Sequence, residues 1–203
     1  MDTPLERRID DIRQGLLASD EGGGNGGAEV LGELVTFYHH ATPPEDGYQT
    51  IRDYLDYRGI DAATSYVLAV CKFSVGSSTD LHNPDLYDFL SHYRDHIAIS
   101  NDLASYEMER QGFESGKATA MINVVEVIMR VERVDVAQAK ALAYAWQLYT
   151  EDEILRELKK LKESTVLGDE DWRLVDACLL ANTGNVIVWA ILARYGGEQA
   201  RIC

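Results

Sequence analysis

The sequence predicts an all-α protein built as an antiparallel helical bundle. Apolar residues recur at three- and four-residue spacing in one segment after another. Only four prolines occur in 203 residues, so long stretches rich in Ala, Leu, Val and Glu run uninterrupted. Short Gly- or Pro-bearing links separate them, which folds successive helices back alongside one another. With 46% apolar residues the chain has the means to bury a sizeable core.

A helix over Pro4 to Ser19 follows from Leu5, Ile9, Ile12 and Leu16 on one face. Asp10 and Asp11 lie on it with no third acid at helical spacing, and they read as a solvated face. Gly22 to Gly27 reads as a flexible linker without the Lys-Ser/Thr ending of a phosphate-binding loop. The domain boundary is placed there, with 1–27 as short helix and linker and 28–203 as the main body. A second helix is predicted from Ala28 to His40, stopped by Pro43-Pro44. His39 and His40, adjacent on it, point about 100° apart and do not readily share a metal.

From Gly47 the chain runs through Ile51, Tyr54, Leu55 and Tyr57 to Arg58-Gly59-Ile60-Asp61-Ala62, where the glycine marks a break between two helices. Ala62 to Phe73 continues as an almost wholly apolar helix. Arg58 stands beside the break and faces an apolar segment, which calls for a buried anion partner. Asn83 caps and Pro84 opens the next and longest helix, read from Leu86 to Arg110. His92 and His96 have zinc-compatible spacing on it, yet with neither an HExxH pattern nor a cysteine partner they read as an ordinary helix face. Gly112 to Gly116 breaks the chain again. Lys117 to Arg133 and Val136 to Lys162 follow as helices, the latter with a charged outer face at Glu157, Lys159, Lys160 and Lys162. The last helix is read from Asp169 to Tyr195, kinked at Gly184 and ended by Gly196-Gly197.

The formal net charge of −15 argues against nucleic acid, which calls for basic patches. It admits a phosphorylated ligand when a divalent cation accompanies it. Cys71, Cys178 and Cys203 form neither a CxxC spacing nor an even set, so a reducing, cytoplasmic setting is expected. No window reaches the roughly 18 uninterrupted apolar residues of a membrane span, and the densely charged stretch from Met1 to Asp20 does not read as a signal peptide.

Asn101, Ser105 and Glu109 follow one another at intervals of four residues on the longest helix. An amide, a hydroxyl and a carboxylate therefore stack on one face over two turns. Hard oxygen ligands in that arrangement suit Mg²⁺, which keeps waters and phosphate oxygens in its remaining positions.

Three features together resemble the class I terpene cyclases of fungal and bacterial type. Asn101-Asp102-Leu103-x-Ser105-x-x-x-Glu109 is similar to that family's second metal motif. Arg58, 43 positions before Asn101, resembles its pyrophosphate-sensing arginine on a broken helix, with Asp61 and Ala62 at the linker and effector positions. Asn185-x-x-x-Trp189-x-x-x-x-Arg194-Tyr195 is similar to its closing Arg-Tyr pair and the cavity aromatic before it. The resemblance spans roughly residues 28–197 and implies a bundle of the class I terpene synthase type missing its first helices, the C-terminal two thirds of a cyclase domain. It implies Mg²⁺-dependent cyclisation of a prenyl diphosphate, farnesyl diphosphate first, with release of pyrophosphate. Asn101, Ser105 and Glu109 would hold metal; Arg58, Arg194 and Tyr195 would bind the diphosphate. Arg58, Asp61, Ala62 and Trp189 would serve the reacting centre, Trp189 and Phe73 forming its apolar wall. A homodimer is compatible with this reading. The family's Asp-rich motif, counted back from Arg58, falls outside the chain, and Met108 stands where lysine is usual. The alternative is a non-catalytic cyclase remnant that binds a ligand or partner.

Overall fold

The structure, a computed structural model, describes residues 3–20, 26–39, 42–44 and 47–192, Ala190 by its backbone alone. Helices α1 (Pro4–Ala18), α2 (Gly27–Tyr38), α3 (Ile51–Asp61), α4 (Thr64–Ser74), α5 (Tyr87–Glu114), α6 (Val124–Glu132), α7 (Val136–Ser164) and α8 (Asp169–Ile191) follow in order. No strand occurs among the described residues, so the predicted fold class holds.

Several helices start where side-chain chemistry supplies their orphan N–H groups with acceptors. Thr3, Thr50 and Asp135 form capping boxes at α1, α3 and α7 with Glu6, Asp53 and Gln138. Asp20 does the same for α2 from a distance, its carboxylate accepting from the N–H groups of Gly26 at 2.8 Å, Gly27 at 2.9 Å and Ala28 at 2.6 Å. The predicted linker therefore ends earlier than expected. Gly27 is the first residue of α2, and a Cβ there would lie 1.9 Å from the Leu16 carbonyl oxygen, so the close approach of α1 demands glycine. Residues 21–25 lie outside the described residues. The expected apolar face of α1 is largely uncovered: Leu5, Ile9 and Ile12 are exposed, and Leu16 meets the core.

α5 is the axis of the bundle, packing against α3, α4, α6, α7 and α8. Its N-terminal half, with Phe89, Leu90, Tyr93 and Ile97, joins a core shared with Leu68 of α4 and Leu174 of α8. Its middle, with Ala98, Ile99, Leu103 and Tyr106, joins a second core shared with Tyr54 of α3, Val124 and Ile128 of α6 and Ala143 of α7. Two boundaries differ from expectation. α5 runs through Gly112 to Glu114, because one glycine costs only about 1 kcal/mol against Ala; the turn falls at Gly116, φ 74°. The helix expected from Lys117 starts only at Val124, because Asn123 is turned inward to cap it and to reach α5. His96, set aside as a zinc ligand, is buried with Nε2 2.9 Å from a Glu151 carboxylate oxygen on α7. No helix among the described residues is long and apolar enough to cross a membrane.

The approach to α3 depends on Gly47, whose φ is 68°. A Cβ there would fall 1.8 Å from Arg130 Nη1, and Arg130 Nη2 donates to the Tyr48 carbonyl at 2.5 Å. Gly47→Ala is expected to displace that guanidinium and cost about 1–3 kcal/mol. Urea unfolding of the variant checks it; an unchanged midpoint would show that the loop adapts without strain.

Candidate functional site

α3 and α4 are separated by two residues that are not helical. The Ala62 N–H still donates to the Arg58 carbonyl at 2.7 Å, but Ala63 swings to φ 55° and redirects the chain. An alanine in the left-handed region costs about 1–2 kcal/mol, so the break is held by its surroundings. Thr64 Oγ1 donates back to the Gly59 carbonyl at 2.7 Å and ties the two helices across it. Ala63→Gly is expected to raise stability by up to about 1 kcal/mol, seen as a higher melting temperature. A lower one would mean that the alanine methyl contributes packing that outweighs the strain.

Arg58, on the last turn of α3, is 8% exposed. Its Nε donates to Asp102 Oδ1 at 2.9 Å, its Nη2 lies 2.7 Å from the same oxygen and donates to Asn101 Oδ1 at 3.0 Å, and its Nη1 pairs with Asp61. The buried anion partner that the sequence calls for is therefore Asp102, which the metal-motif reading passed over. Asp102 is fully buried. Its second oxygen accepts from the Tyr54 hydroxyl and from the Val124 N–H at 2.8 Å, so one carboxylate joins α3, α5 and the start of α6.

Glu109 enters the same network through Asn123, whose Nδ2 donates to Glu109 Oε2 at 3.0 Å and to the Asp102 carbonyl at 2.8 Å. Ser105 Oγ donates to the Asn101 carbonyl at 2.8 Å, which spends its proton and leaves the oxygen as an acceptor or ligand. Arg58, Asp61, Asn101, Ser105 and Glu109 are thus brought together, with Ala62 at the adjoining break. Trp189, like Phe73, packs against the first core. Arg194 and Tyr195 lie outside the described residues. Tyr54, Asp102 and Asn123 were missed by sequence reasoning. Only Asp102 had a signal, being next to Asn101 and suitably charged for Arg58.

Burial raises the Asp102 carboxyl against the opposing pull of the Arg58 charge and the Tyr54 hydroxyl, to about 6 in balance; the guanidinium on one oxygen and the two donors on the other favour the carboxylate form. Burial alone would lower the Arg58 pKa; Asp102, Tyr54 and Asp61 outweigh it and hold the guanidinium above its ordinary value. Burial, with Asp61 close by, pushes Tyr57 up to about 12. One cationic side chain against three carboxylates (Asp61, Asp102 and Glu109) gives the cluster a formal charge of −2. Such a cluster repels a diphosphate unless a divalent cation comes with it.

The donor set fits such a cation. Asn101, Ser105 and Glu109 offer neutral and anionic oxygens along one strip of α5 and no soft ligand. No group of three His, Cys, Asp or Glu suited to a metal occurs among the described residues. An ion on this strip would take amide and hydroxyl oxygens and keep positions for ligand oxygens, the habit of Mg²⁺.

Comparison with known proteins agrees with this geometry. Residues 35–152 match the family model described as terpene synthase family 2, C-terminal metal binding. The chain is 27% identical over 174 residues to terpene cyclase 6 of Gibberella fujikuroi, covering 85% of this chain and 47% of that protein. It is 24% identical over 156 residues to phomopsene synthase of Phomopsis amygdali, covering 75% of this chain and 21% of that one. Among solved structures a variant of cucumene synthase superposes with a TM-score of 0.72 at 18% identity, over 96% of this chain and 65% of that chain. Wild-type cucumene synthase gives 0.67 at 16% identity, over 93% and 62%. The chain thus spans less than half the length of the first of these curated relatives.

Proposed function

The chain belongs to terpene synthase family 2, matching its C-terminal metal-binding part, and from that premise we propose that it acts on a prenyl diphosphate, farnesyl diphosphate first, by releasing pyrophosphate and cyclising the remaining chain. The observation that carries this reading is the joining of Arg58 to Asn101 and Asp102 across a broken helix, on the helix that also bears Ser105 and Glu109. Asn101, Ser105 and Glu109 would hold Mg²⁺. When bound, it neutralises charge building on the departing diphosphate.

The side chains of the protein do the rest. Arg58 would exchange its terminal-nitrogen bonds to Asp61 and Asn101 for charge-assisted bonds to phosphate oxygens, while its Nε stays on Asp102. Tyr54 and the Val124 N–H fix Asp102, so this anchor of the guanidinium is held while its outer nitrogens change partners. Asp61 and the Ala62–Ala63 break transmit the state of Arg58 to α4. Arg194 and Tyr195 would add donors from beyond α8. The carbocation left behind needs an apolar, water-free wall, and aromatic faces stabilise cations; Trp189 and Phe73 are assigned to that wall. In this reading, residues 28–203 are the later part of a cyclase domain and 1–27 an appendage. Cys71 and Cys178, buried as free thiols, accord with a reducing cytoplasm.

The test is incubation of the purified chain with geranyl, farnesyl and geranylgeranyl diphosphates and Mg²⁺, with headspace analysis and a pyrophosphate assay. A cyclic hydrocarbon or alcohol from one substrate supports the reading. Pyrophosphate binding with no product from any substrate replaces it with a non-catalytic binding protein.

A further inference from the structure

α3 carries two stripes on opposite sides. Tyr54, Arg58 and Asp61 face the network above; Arg52, Asp56 and Gly59 lie two residues, about 200°, around the helix from them. The second stripe borders a cavity of about 410 Å³ closed by the N-terminal half of α5. Arg94 of α5 lies on its wall, and this arginine is anomalous. Its Nε is buried without an acceptor, and no ion pair to its guanidinium occurs among the described residues. Arg52, the other guanidinium at the cavity, is satisfied: it donates to Asp56 at 2.9 Å and to both Asp95 oxygens at 2.6 and 2.9 Å. Asp95, next to Arg94 in sequence, is thereby taken by Arg52.

A guanidinium does not shed its charge, and burying its donors unpaired is costly. Burial does act on it, pulling its pKa down, with Glu33, Tyr87 and Asp95 in the neighbourhood opposing. Ser65 and Ser91 place hydroxyls on the same cavity, and Leu55, Leu81 and Leu90 give it an apolar side. Its volume is within the range of small-molecule sites.

We propose that this cavity is a phosphate-binding site in which Arg94 is the principal donor, separate from the Arg58 centre and independent of metal. The Nη1/Nη2 end of the fork, given no acceptor among the described residues, matches a phosphate oxyanion in bidentate fashion. The apolar side fits an organic phosphate ester, whereas the polar groups alone suit inorganic phosphate.

Calorimetric titration of the full chain in EDTA, with inorganic phosphate and separately with n-butyl phosphate, tests the proposal. Saturable binding is expected, and Arg94→Gln should weaken it at least tenfold. Ser91→Asp, which puts a carboxylate one turn from Arg94 without emptying the core, should abolish it and covers the case in which Arg94→Gln fails to fold. Tighter binding of the butyl ester identifies an organic phosphate as the ligand; equal binding identifies inorganic phosphate. No saturable binding below about 10 mM, or binding unchanged in Ser91→Asp and any folded Arg94→Gln, overturns the proposal. The assay contains no metal and reads no product, so its failure leaves the cyclase reading untouched.

Discussion

Asp102→Ala is expected to lower the free energy of unfolding by about 3–5 kcal/mol, from the roughly 5–15 kcal/mol that holds a domain together. The carboxylate is fully buried and takes bonds from Arg58, Tyr54 and the Val124 N–H. Removing it takes the acceptor from the Arg58 Nε, a buried phenol and the first N–H of α6. Asp102→Asn tests the charge separately. It keeps the shape but turns an NH₂ group toward the two donors that one of the oxygens now accepts from, so a loss nearly as large is expected. The double variant Arg58→Met/Asp102→Leu should recover much of the loss, because a buried ion pair replaced by apolar side chains of similar size is often neutral or better. Urea unfolding of the unsubstituted protein, Arg58→Met, Asp102→Leu and the double variant gives the coupling energy. A coupling near zero would mean that the pair is incidental to the fold, and that Arg58 is not held by Asp102 in solution.

The architecture was legible because helical periodicity and capping residues are local signals. The position of the long helix and the all-α class follow from residues within a few turns of one another; the sequence places the break after Arg58 at Gly59, but Gly59 lies inside α3 and the break falls at Ala62–Ala63. What the sequence concealed is long-range. Asn123 reaches back to Asp102 and Glu109 only because the loop before α6 folds over α5, and no local pattern distinguishes that asparagine from any other helix cap. Tyr54 read as one more apolar residue of α3, although its hydroxyl is what completes the shell of Asp102. The start of α6 was misjudged for the same reason: Lys117 to Asn123 has helix-compatible residues, but Asn123 caps α6 and bonds to Asp102 and Glu109 of α5, so the helix starts only after it. Arg58 shows the reverse case. A lone cation facing apolar sequence raised the prospect of a buried anion partner, and the structure supplies it as the Asp102 carboxylate.

Glu109→Gln is expected to weaken Mg²⁺-dependent binding of pyrophosphate about 100-fold, roughly 2.8 kcal/mol, while leaving the fold intact. Glu109 is the only anionic member of the Asn101, Ser105 and Glu109 strip, and Mg²⁺ draws most of its affinity from carboxylates. The substitution keeps an oxygen for the Asn123 amide, which Glu109 Oε2 now accepts at 3.0 Å, so the neighbouring Asp102 network should not feel it. It also removes one of the three negative charges around Arg58. Charge alone would therefore make pyrophosphate bind better in Glu109→Gln, whereas metal ligation makes it bind worse, and the two effects have opposite signs. Titration with pyrophosphate in Mg²⁺ and in EDTA separates them: the variant should lose affinity in Mg²⁺ and gain slightly without it. Met108→Ala, at the half-exposed neighbouring position, should change neither. If Glu109→Gln binds pyrophosphate more tightly in both conditions, the carboxylate is a repulsive bystander, and the oxygen strip of α5 is not where the cation sits.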